Sequence, residues 1–155
     1  MSRIWIGIDP GEKGYSCALN PNEKVVGFIS NKELPHIISY WYQGLNEQHD
    51  VQMTVIEDVH SIFGVSAKSN FNFGFNTGLV TGIVQGLGLP LAKISPKKWQ
   101  KTINVKTKGK DIKKEVAKIA QSLYPHVELR GPRGGLIDGK SDALMIAHYS
   151  YLTYR

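Results

Sequence analysis

One cysteine stands in the whole chain, Cys17, so no internal disulfide can form, and this usage suits a reducing compartment. Cys17 lies in an apolar stretch, where a small core residue is expected before a nucleophile. Cys and His form no cluster that would suit Zn²⁺. No apolar run approaches the roughly 18 residues of a membrane span, so no membrane partner is expected. The opening residues read as a strand and carry no signal-peptide pattern. Linkers, repeats and low-complexity tracts are missing too, and 155 residues predict one domain over 1–155.

Negative charge is scarce. Against 19 Lys+Arg there are 13 Asp+Glu, a formal net charge of +6. The excess is local: from Lys93 to Lys118 ten lysines stand against only Asp111 and Glu115. Such a concentration points to nucleic acid, with a merely solvated face as the alternative.

Four of the few acids occupy unexpected places. Asp9 ends Ile4-Trp5-Ile6-Gly7-Ile8, and Glu57 ends Met53-Thr54-Val55-Ile56. Asp138 and Asp142 bracket the approach to Ala143-Leu144-Met145-Ile146-Ala147. A carboxylate against a core is costly unless it is paired, protonated or bound to metal. Each has a plain reading: Asp9 as a turn residue before Pro10-Gly11, Glu57 as a strand end, Asp138 as a helix N-cap. Asp142 has none, and together they suggest a metal cluster. Hard oxygen ligands point to Mg²⁺, with Mn²⁺ as substitute. Two such ions, with a phosphate as further ligand, would serve phosphodiester hydrolysis without a protein nucleophile.

Apolar patterning predicts strands over 4–9, 15–19 and 25–30 as an antiparallel meander, then a helix over 33–48. A strand over 51–57, a loop over 60–76 and a helix over about 76–88 follow. A short strand over 91–94 precedes a helix opening at Ser95-Pro96, then a helix over 111–124, a Pro/Gly loop over 125–137 and a last helix over 140–151. The sum is an α/β fold around a mixed sheet, with Asp9 and Glu57 at strand ends where ligands bind.

The segments Ile6-Gly7-Ile8-Asp9-Pro10-Gly11 with Gly14, Ile56-Glu57, Ser95-Pro96-Lys97-Lys98-Trp99 and Asp138-Gly139-Lys140-Ser141-Asp142-Ala143-Leu144 occur in this order. Together they resemble the RuvC family of Holliday junction resolvases, within the ribonuclease H-like superfamily, and the resemblance covers nearly the whole chain. It implies a ribonuclease H-like fold: a mixed sheet, with a three-strand meander plus parallel strands, flanked by helices. It also implies a homodimer that nicks opposed strands of a four-way DNA junction, with two metal ions per site. Asp9, Glu57 and Asp142 match three of the family's metal positions. The fourth, often His or Asp three residues before the last Asp, falls here on Gly139, and Asp138 is taken in its place. The short length and compact basic loop are similar to phage-encoded members. A helicase partner is left open.

The family probes the junction centre with an aromatic after the catalytic Glu. His60 holds the matching position here, and Phe63 follows it as a wedge candidate. His60 has three readings: a base, a phosphate contact, or a surface residue with no role. Phe71, Phe73 and Phe75 read as core or dimer contacts. Lys98, Lys101, Lys108, Lys110, Lys113 and Arg133 are the candidate DNA-binding cations. Trp99 reads as a core anchor. The predicted dimer surface is the helix over about 76–88, where Gly78, Gly82 and Gly86 would let helices approach; packing on its own sheet is the alternative. The competing functions are a related nuclease acting on flaps, other branched DNA or structured RNA, and a binding module without catalysis. A third, an actin-like ATPase fragment, lacks room for a second phosphate-binding domain.

Overall fold

In the computed structural model, which describes every residue except Glu23 and Ser61, five strands form one sheet in the order β3-β2-β1-β4-β5. β1 (Arg3–Ile8), β2 (Tyr15–Asn20) and β3 (Lys24–Ser30) make the antiparallel meander. β4 (Asp50–Glu57) runs parallel to β1, and β5 (Leu91–Ile94) parallel to β4. β1 is apolar on both faces because both are covered, as parallel strands require.

On one face lie α1 (Pro35–Gln48) and α2 (Ala67–Gly86), which close a core of Ile4, Ile6, Ile8, Ile38, Tyr42, Val80 and Val84. The Tyr42 hydroxyl donates to Ser16 Oγ at 2.7 Å and ties α1 to the sheet. On the other face lie α3 (Pro96–Thr102), α4 (Ile112–Leu123) and α5 (Asp138–Tyr154), around Cys17, Val55, Trp99, Val116, Leu144 and Ile146. Cys17 is a core residue, and burial pushes its thiol pKa up. Among the described residues, no helix is long and apolar enough to cross a membrane.

Three boundaries depart from the sequence reading. α2 begins at Ala67, so most of the loop expected over 60–76 is helix. Gly, Ser and Asn disfavour helix locally, but Ser66 caps the start, its Oγ accepting from Ser69 N at 3.1 Å. α1 begins at Pro35, where proline suits the first turn and leaves Leu34 exposed. α5 begins at Asp138 and runs to Tyr154. Asp138 is its first residue, preceded by Ile137 at the N-cap, with no side-chain cap bond, so the capping role does not hold.

α5 lies directly on β1. A methyl group on Gly7 would collide with Ala147 N and Ala143 O of that helix. Gly7→Ala should therefore destabilise by about 3 kcal/mol or more, since overpacking that only backbone movement can relieve lies at the upper end of such costs. Denaturant unfolding checks this; a loss below about 1 kcal/mol would show that α5 can shift freely.

Candidate active site

The acidic residues meet where β1, β4 and α5 converge. Asp9 follows the last residue of β1, Glu57 is the last residue of β4, and Asp138 and Asp142 sit on the first turns of α5. The turn after β1 is tightly made. Asp9 N donates to Tyr15 O at 2.9 Å, and Gly11 N donates to Asp9 Oδ1 at 3.1 Å. Asn31, nearly buried, donates through Nδ2 to both Asp9 O and Gly11 O at 2.7 Å. It clamps the turn from the end of β3. No periodicity marks such a residue; its one sequence signal is its place after a strand end.

Gly139 stands where the resemblance would put a fourth ligand. A side chain there would collide with Lys13 O and come within 2.9 Å of Gly14 Cα. The start of α5 is pressed against the glycine turn, so position 139 has no room for a ligand side chain. Asp138 Oδ2 lies 3.4 Å from Lys113 Nζ.

Electrostatics couple the group. Burial raises the pKa of Asp9, partly offset by the Gly11 amide and by Lys113, while Asp138 adds to it. Glu57 is pushed up to about 7, by burial and then by Asp9, against a hydrogen bond from Trp99. Asp142 is pushed up to about 8, by burial first and then by the charges of Asp9 and Glu57, with Lys113 opposing. Clustered carboxylates with one lysine nearby are short of positive charge. Hard oxygen donors in that state suit Mg²⁺ or Mn²⁺ in type. The tight cluster expected from sequence is absent, however: no three His, Cys, Asp or Glu side chains among the described residues converge closely enough to hold an ion. Asp138 is turned to Lys113 and Glu57 to Trp99.

Trp99 is buried in the core as expected, but its indole has a second role that sequence did not reveal. Nε1 donates to Glu57 Oε2 at 2.6 Å. Trp99→Phe keeps an aromatic and removes that donor, so Glu57 holds its proton to higher pH. We expect about tenfold lower turnover at pH 7 and a rising limb of the pH–rate profile displaced to alkaline pH. An unshifted profile with a lower plateau would indicate packing damage alone.

Of the candidate DNA-binding residues, Lys113 alone is drawn into the acidic site. Lys98, Lys101, Lys108 and Lys110 are exposed around α3 and the turn before α4, Arg133 is exposed on the 131–134 turn, and His60 is exposed after β4. Phe63 is wholly solvent-exposed, beside Gly64 at φ +83°. Phe71 and Phe75 are 71% and 57% exposed, which corrects the core reading for both; Phe73 is half-buried. A methyl group on Gly74, Gly78, Gly82 or Gly86 would meet nothing within 4 Å, so these glycines do not pack on their own sheet.

Glu115 was also missed, although a lone glutamate among lysines was a signal. Its carboxylate accepts from Lys106 N at 3.0 Å and from Thr107 N and Oγ1 at 2.8 and 2.6 Å. These bonds lower its pKa and fold the lysine-rich turn onto α4.

No family model matches the chain, and neither does any curated protein. Solved structures do. T. thermophilus RuvC in complex with a Holliday junction substrate aligns at TM-score 0.67 and 17% identity, over 97% of this chain and 95% of that one. A second Thermus thermophilus RuvC structure aligns at 0.64 and 18%, over 97% of each chain. The chain therefore has the RuvC fold.

Proposed function

We propose that this protein is a metal-dependent endonuclease that resolves four-way DNA junctions by paired nicks, acting as a homodimer. One observation carries the reading: Asp9 and Glu57 at two strand ends and Asp142 at the start of α5 stand charge-coupled, in a fold shared with a RuvC bound to a junction.

Asp9, Glu57, Asp142 and Asp138 would hold the divalent cations after drawing closer together than they stand here, with Asp138 released from Lys113. When bound, such ions supply a deprotonated water and neutralise charge on the departing oxygen. The chain's own residues do the rest. Asn31 and Gly11 fix Asp9, and Trp99 orients Glu57. Lys113 offsets the negative charge beside Asp138. Lys98, Lys101, Lys108 and Lys110 contact backbone phosphates, which set register without reading sequence. Phe63 is free to enter the crossover, where an apolar wedge can unstack a base step. The exposed face of α2, with Phe71, Phe75 and open Gly78 and Gly82, supports the dimer.

The test is cleavage of a synthetic four-way junction, with duplex, flap and RNA–DNA hybrid controls, in Mg²⁺, Mn²⁺ or EDTA. Symmetric metal-dependent nicks confined to the junction are expected. Preferred cutting of the flap or hybrid would move the function to a related nuclease, and tight binding without cutting would leave a binding module. Phe63→Ala should slow junction cleavage about tenfold or more while plain duplex binding is retained, the scale of losing one or two kcal/mol of stacking. Equal loss on both substrates would remove the wedge role.

A further inference from the structure

We infer a second DNA track, separate from the lysines around α3, on the outer face of α4. A groove of about 430 Å³ lies between α4 and the segment leading to α5, lined by Lys114, Ala117, Lys118, Gln121, Arg130 and Leu136. The inference rests on the proposed function and adds to it the path of one junction arm.

Lys114, Lys118 and Gln121 fall on one side of α4, four and three residues apart. The opposite wall is a small hairpin. Arg130 bridges to Leu136, Gly131 N donates to Gly135 O at 2.8 Å, and Gly134 takes φ +80° at the turn. Arg130 Nη1 donates to Gly134 O at 2.8 Å, which fixes the guanidinium at the groove wall. Three cations and an amide line the groove, and among the described residues no acid does. Ala117 and Leu136 give it an apolar floor that a deoxyribose face suits.

Its position is as informative as its charge. Lys114 directly follows Lys113, which reaches Asp138, and the hairpin chain runs straight into α5. The groove thus lies between two segments, α4 and the hairpin chain, that each run on to a residue of the acidic site, and it extends along α4. From Lys114 to Lys118 the helix rises about 6 Å, and duplex DNA offers a charge every ~1.7 Å of its axis. Backbone phosphates of an arm leaving the cut strand are the occupant that this charge and continuity favour.

The experiment is junction binding in Ca²⁺ or EDTA across a salt series, with arms of about one helical turn or of two turns and more, comparing wild type with Lys114→Gln/Lys118→Gln. Both lysines are exposed and glutamine is a good helix former, so the fold is retained, which a thermal melt verifies. For long-armed junctions, affinity should fall about tenfold or more and the salt slope should shrink by about 2. Short-armed junctions should be little affected. Unchanged affinity and slope on long arms would overturn the track, as would equal losses on both arm lengths, which would put the lysines at the junction centre. If wild type binds duplex as well as junction, with the same lysine dependence, the junction reading fails while the track stands. If wild type binds no DNA, both fail.

Discussion

Asp142→Asn should abolish junction cleavage, by on the order of 10³-fold, while leaving a protein that folds better than wild type in metal-free buffer. The two halves have one cause. Asp142 is a strongly perturbed carboxyl, pushed up to about 8 by burial and by the charges of Asp9 and Glu57. An amide keeps the shape and removes the repulsion. It also removes a hard anionic ligand, and loss of several kcal/mol of charge stabilisation corresponds to about 10³-fold in rate, at about 1.4 kcal/mol per decade. Asp9→Asn and Glu57→Gln should act in the same direction. Cleavage measured beside junction binding in Ca²⁺ separates the effects. A variant that neither cuts nor binds has lost its fold, and one that cuts normally would remove Asp142 from catalysis.

Stability of the metal-free protein should fall as pH rises. Glu57 and Asp142 bind protons more tightly folded, at about 7 and about 8, than their ordinary values of 4.5 and 3.8. Between those limits the folded state holds more protons than the unfolded one. The contribution is therefore fully present below about pH 4, declines from there to about pH 8, and levels off above. A few kcal/mol is the scale, or roughly 5–10 °C in melting midpoint for a chain of this length. Adding Mg²⁺ at pH 8 should restore much of this, since a ligand at 100 times its Kd adds about 2.7 kcal/mol. A midpoint flat with pH and indifferent to Mg²⁺ would sink both the electrostatic account and the proposed metal site.

Much of this was legible in the residues. The meander, the parallel strands and the strand-end positions of Asp9 and Glu57 follow from apolar runs closed by turn residues, which report burial on both faces. What was hidden is long-range. α2 starts well before expected because packing overrides the poor helix propensity of its Gly- and Asn-rich opening. Trp99 reaches Glu57 across 42 residues of sequence, and Asn31 reaches Asp9 across 22. Hydrogen bonds of that kind have no period. That position 139 has no room for a side chain follows from an approach of two backbone segments, where the sequence records only a glycine.

That approach has a mechanical side. At two glycines α5 packs without clearance: Gly7 along its middle and Gly139 at its start, against the turn that carries Asp9. The helix cannot ride up or slide while the turn stays in place. Any opening that lifts α5 takes Asp138 and Asp142 away from Asp9 together. The site is thereby either assembled or dismantled, and slow amide exchange in α5 would time the intervals between its interruptions.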